Sequence, residues 1–284
     1  MRALRYGGRM RKRDHRSWRF LGPRETASSR TESEAKGGLA DGVLPAVDAG
    51  PGDWLQSRLL ASPKGATLVG SVIPVGFEAY ARVFHPAQGT PRSGDMAVSV
   101  PWGAVAKWSG STVHPEMQWE AISQSRAITT NEQPWDEDPE VGQMPIETRS
   151  ALVDVLAPQT STPDLSWVCI WEGFAGIREF LPGVPRVQVP HRSYVLVHAT
   201  VRRVGDGPLL VGPPLHDFGP NLWWPEDRSW CVATEIDFRW TYVGGSAECI
   251  QAVLRHERLE ALPANPAQHA DSLGDRINTP GGTR

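Results

Sequence analysis
From Trp230 to Tyr242 the even positions read Trp, Val, Thr, Ile, Phe, Trp and Tyr, while the odd positions from Cys231 to Thr241 read Cys, Ala, Glu, Asp, Arg and Thr. Alternation of this kind places one set of side chains on a core and the other on the opposite face. It predicts one strand over Trp230–Val243 whose second face carries Glu235, Asp237 and Arg239 in a row, about 7 Å apart at each step of two residues. The continuous apolar run Trp167–Trp171 predicts a central strand closed by Glu172-Gly173. Phe77–Phe84, largely apolar on both faces, predicts a second interior strand, and Thr67–Ile73 and Tyr194–Val201 predict two more.

Helical signals alternate with these. Asp53, followed by Gln56, is a candidate cap for a helix carrying Trp54, Leu55, Leu59 and Leu60. Prolines at the first helical position open Pro101–Trp108, Pro115–Ser123 and Pro145–Leu156, the last with Leu152, Val153 and Leu156 as its buried stripe. Ser246, after Gly244-Gly245, caps a final helix reaching about Leu259. Strands and helices in this order predict an α+β fold, an aromatic-rich mixed or antiparallel sheet covered by helices.

Residues 37–52 read as a linker, residues 53–263 as one globular domain, and residues 264–284 as a flexible tail. The 86–97 stretch is expected to be a loop, and 124–145 a long acidic loop around Pro134-Trp135-Asp136-Glu137-Asp138-Pro139.

Charge divides the 284-residue chain unevenly. Residues 1–36 hold 11 Lys and Arg against four acids, a net +7, which leaves 18 basic and 28 acidic residues, a net −10, in the rest. An acidic domain disfavours nucleic acid as a partner, apart from the basic arm itself. Residues 1–52 are expected to be a disordered arm and linker. Three readings of the arm stand open: it binds nucleic acid or anionic lipid non-specifically, it is a solvated tail, or it is translated from upstream of the true start. No apolar run approaches the 18 or so residues of a membrane span, and the arm lacks the apolar core of a secretory signal. Cys169, Cys231 and Cys249 sit singly in apolar segments, which points to buried thiols and a cytoplasmic protein.

Candidate chemistry concentrates in residues 221–245. Glu226, Asp227, Glu235 and Asp237 would suit a divalent cation or an acid–base pair, against a surface ladder neutralised by Arg228 and Arg239. Trp223-Trp224-Pro225 is an aromatic corner that would stack on a planar ligand or a sugar, or pack on the sheet. Trp223, Trp224, Glu226, Asp227, Arg228, Glu235, Asp237 and Arg239 are therefore the candidate binding residues. Gly244-Gly245-Ser246 would offer a helix N-terminus to an anion, or be a plain tight turn. His114-Pro115-Glu116 is a weak imidazole–carboxylate pair. Phosphate-loop, dinucleotide, zinc and nucleophile-elbow patterns are missing, so no metal, cofactor or catalytic residue is assigned.

The strings Val75–Pro86 (Val-Gly-Phe-Glu-Ala-Tyr-Ala-Arg-Val-Phe-His-Pro), Ile170-Trp-Glu-Gly173 and Asn221–Asp237 resemble those of a family of uncharacterised actinobacterial proteins, over roughly Asp53 to Pro263. The resemblance implies a cytoplasmic bacterial protein and carries no activity or site residue. The leading expectation is a non-catalytic binding or interaction protein with an acidic, aromatic-rich surface that masks a basic partner. The alternative is a carboxylate-dependent hydrolase or transferase, with or without a divalent cation.

Overall fold
A computed structural model describes residues 37–90, 97–124, 133–213 and 218–278. The basic arm, residues 1–36, lies outside them. Thirteen strands are described: β1 Gly38–Leu39, β2 Leu44–Pro45, β3 Ala79–Phe84, β4 Ala87–Gly89, β5 Val98–Val100, β6 Ser166–Trp171, β7 Arg186–Val189, β8 Arg192–Ala199, β9 Leu210–Val211, β10 Leu222–Pro225, β11 Cys231–Ala233, β12 Trp240–Gly245 and β13 Ala261–Ala264. The helices are α1 Asp53–Arg58, α2 Val69–Val72, α3 Trp102–Ser109, α4 Trp119–Ile122, α5 Ile146–Leu156, α6 Ile177–Phe180, α7 Val201–Gly205 and α8 Ala247–Arg255.

Nine of the strands form one sheet in the order β13-β3-β12-β11-β10-β6-β8-β2, with β7 also on the outer edge of β8. Every pairing is antiparallel. The fold is α+β. Helices cover both faces, which explains why β3 and β6 read as apolar on both sides. On one face Val168, Ile170, Val195, Val197, Val232 and Val243 pack against α5, α7 and α8. On the other, Cys169, Leu196, Leu222, Trp224, Cys231 and Tyr242 pack beneath α1 to α4.

Local chemistry sets the helix ends. Ser246 accepts a hydrogen bond from the Cys249 amide (3.1 Å) and so caps α8. Gly110, at φ 71°, ends α3 in the left-handed conformation that glycine adopts without a Cβ penalty. The start of α3 has no cap of its own. Glu260, far along the chain, accepts from the Trp102 and Gly103 amides at 2.5 and 2.6 Å and supplies one.

Four expectations are corrected. Residues 230–243 are two strands joined by a turn, not one strand. Trp230 and Val232 face the α5 side, whereas Trp240 and Tyr242 face the other, so the unbroken even-numbered pattern is two patterns end to end. The chain turns because Glu235 accepts the Asp237 amide on its side chain and the Phe238 amide on its carbonyl. Thr67–Ile73 contains α2 rather than a strand, its Val69 and Gly70 amides being taken by the Gln268 and Pro266 carbonyls. The 37–52 segment is not a free linker, because β1 pairs with β9 and β2 joins the main sheet. The described part of the tail is also built in: Ala270, Asp275 and Asn278 are buried.

Tryptophan is core material here. Of the eleven in the described residues, Trp102, Trp119, Trp135, Trp223, Trp224, Trp230 and Trp240 are buried and the other four half-buried. A buried aromatic is worth roughly 4–6 kcal/mol gross at about 25 cal/mol/Å². The aromatic-rich surface expected from the sequence is thus replaced by an aromatic interior.

Candidate functional site
The eight candidate binding residues separate into three groups. Trp223 and Trp224 are fully buried on opposite faces of β10, as neighbours in a strand must be. They pack on the sheet and present no stacking surface. Glu226, Asp227 and Arg228 lie in the turn between β10 and β11, while Glu235, Asp237 and Arg239 lie in the turn at the other end of β11. They do not form one carboxylate row.

The first turn is a clasp. Glu226 accepts from the indole N–H of Trp167. Asp227 accepts from the Ser161 amide and hydroxyl (2.7 and 2.8 Å), the Thr160 hydroxyl (2.8 Å) and the Ser229 amide (3.0 Å), tying the 160–162 loop to the hairpin. Partial burial works to raise the Asp227 pKa, but the Ser161 and Ser229 donors outweigh it and hold it down at about 2. Arg228, at φ 54°, lays its guanidinium 5.5 Å from the Trp54 ring.

The second turn borders a cleft of about 550 Å³. Its floor is the α1–α2 face of the sheet at Tyr194, Leu222 and Ala233, and residues 59–67 with Val72 form a wall. Arg192 enters from the start of β8. Its Nε and Nη2 donate to Glu235 Oε1 at 3.0 and 2.7 Å, and its Nη2 lies 3.6 Å from Asp237. Glu235 Oε2 accepts the Asp237 amide at 2.8 Å, so both Glu235 oxygens are engaged. Asp237 stands 76% exposed at the rim. Arg239 turns away to Glu120, Asp138 and the Pro139 carbonyl and takes no part.

Two further residues define the cleft. Tyr194 is buried on its floor, and burial pushes its phenol pKa up, so it stays a neutral O–H. His191 occupies the second position of a two-residue β7–β8 turn at φ 70°, a conformation uncommon for a residue other than glycine and a frequent companion of functional sites.

Other candidates resolve into structure. The α8 N-terminus is occupied by Glu78, whose carboxylate accepts from the Ala247 amide at 2.9 Å. His114 pairs with Asp275 at 3.0 Å, not with Glu116, which accepts from Gln268. Among the described residues no group of three His, Cys, Asp or Glu side chains is placed to hold a metal ion. Also among them, no helix is long and apolar enough to cross a membrane.

Arg192, Tyr194 and His191 were not picked out from the sequence. Pro190-His191 between two alternating runs is a legible hairpin signal. The partnership of Arg192 with Glu235, 43 residues away, has no local signature. No protein-family model matches the chain, and neither does any curated protein or solved structure.

Proposed function
We propose that this chain is a non-catalytic binding protein that takes a small ligand in the cleft between Tyr194 and the Arg192–Glu235–Asp237 rim. The observation that carries the reading is a concave site, lined by apolar and polar side chains together, on which Arg192, Asp237 and Tyr194 converge. Glu235 is a poor general base or metal ligand, because Arg192 and the Asp237 amide already engage it. That favours binding over the carboxylate-dependent hydrolase or transferase. Three unpaired, buried cysteines support a reducing, cytoplasmic setting. Membership of the actinobacterial family rests on its motif strings and belongs to the same proposal.

The test is thermal melting of the full chain and of Glu235→Gln/Asp237→Asn across divalent ions, nucleotides, sugars and amino acids. A ligand that binds only the native state raises the melting temperature. The reading expects a ligand that moves the wild type and leaves the variant unmoved. Identical responses of the two proteins would refute it.

A second reading, the masking of a basic partner, is favoured by a separate groove of about 470 Å³. Glu137, Asp138, Glu140 and Glu147 line it, and among the described residues no Lys, Arg or His does. It expects capture of a lysine-rich peptide that weakens with salt and with Glu137→Gln/Glu147→Gln. Binding that is indifferent to both would end it.

A further inference from the structure
We infer that the cleft is shaped for a free α-amino acid with an apolar side chain, an inference that rests on the binding reading above. Its rim presents both signs of charge within a few ångströms. The Arg192 guanidinium and the Asp237 carboxylate are 3.6 Å apart, at 28% and 76% side-chain exposure. A ligand carrying only one charge meets its own sign there. A zwitterion matches both.

The pair is also prepared unequally. Glu235 takes the Nε and Nη2 edge of Arg192 and fixes the guanidinium plane, while Nη1 has only a long contact, 3.4 Å, to the His191 carbonyl. That N–H is free to donate to an α-carboxylate. Asp237 lies at the long end of its contact with Arg192 and is the acceptor open to an α-ammonium. Tyr194 lines the same cleft, and its hydroxyl can donate to a ligand carboxylate oxygen. Leu59, Val72, Leu222 and Phe238 also line the cleft, among polar residues that include Lys64, Asn221 and Thr234, and offer contact to an aliphatic or aromatic side chain.

The experiment uses the full-length protein with L-leucine and L-phenylalanine as probes. 4-Methylpentanoate serves as leucine without its amine, and isoamylamine as leucine without its carboxylate. Leucine or phenylalanine is expected to raise the melting temperature, with both half-ligands much weaker. Asp237→Asn, a change at an exposed side chain, is expected to bring leucine down to the level of 4-methylpentanoate. Tyr194→Phe is expected to weaken amino-acid binding roughly ten- to a hundredfold, the worth of one hydrogen bond to a charged group. Equal binding of leucine and 4-methylpentanoate by the wild type would overturn the zwitterion argument. Stabilisation by a sugar or nucleotide but by no amino acid would overturn the ligand class and leave the cleft reading standing. A wild type that no probe of any class moves would remove both.

Discussion

Removing the Asp275 carboxylate should loosen the C-terminal segment from the body of the fold and cost several kcal/mol. Asp275 Oδ1 accepts from the Asn278 amide (2.7 Å), the Ile277 amide (3.2 Å) and His114 Nε2 (3.0 Å), while Oδ2 accepts from the Gln118 amide (3.0 Å). In Asp275→Ala the exposed Ile277 can recover water. Asn278 and Gln118 are buried, and each orphaned amide there costs about 1–3 kcal/mol. The expected loss is about 4 kcal/mol, which for a unit of this size lowers the melting temperature by roughly 8–16 °C. Asp275→Asn keeps an acceptor and should fall between. Burial by itself would raise the Asp275 pKa, but the Asn278 and Gln118 amides and the His114 imidazole outweigh it, so the folded value is depressed. The stability it contributes is therefore complete above the unfolded-state value near ~3.9 and lost as pH falls through the lower folded one. Urea denaturation of wild type and both variants at neutral pH and below pH 4, with limited proteolysis of the tail, provides the check. An Asp275→Ala protein within about 1 kcal/mol of wild type, with its tail equally protected, would refute the reasoning.

Two further outcomes follow from buried groups elsewhere. His85 is fully buried, its ring bonded to the Glu140 carbonyl (3.1 Å) and the Thr241 hydroxyl (2.9 Å), and burial lowers its pKa to about 4. The unfolded chain takes up that proton near pH 6.5, so stability should drop by about 3 kcal/mol between pH 6.5 and 4. Denaturant titrations should show the drop in wild type and lose it in His85→Gln; the same acid slope in both would count against it. Gly142, at φ 74°, holds its Cα against the Ile236 carbonyl, which an added Cβ would meet at 2.2 Å. Gly142→Ala should therefore shift the 234–239 turn, cost at least about 1–2 kcal/mol and weaken any cleft ligand, read by melting with and without leucine. Unaltered stability and binding would show that this contact does not hold the turn.

What the sequence determined alone is what neighbouring residues determine. α3, α5 and α8 were legible because a proline or serine start and an apolar stripe lie within one segment. β3, β6 and β8 were legible because both of their faces meet a core, and the aromatic content announced that core even though it was assigned partly to the surface. The tertiary structure alone decided the rest, for a physical reason common to each case. β1, β2 and β9 are two residues long and exist only through partners elsewhere in the chain. The 264–278 segment has tail-like composition but is held by Thr67, His114 and Gln118. The 234–239 turn interrupts no alternation, because both flanking strands alternate in the same phase along the chain while facing opposite sides. Glu235 and Asp237 were visible as carboxylates, but what they do depends on Arg192, and that contact forms only when β8 and the β11–β12 turn meet at one end of the sheet. Hydrogen bonds and ion pairs are satisfied by whatever polar group the fold brings within about 3 Å, so their partners are a property of the packed chain.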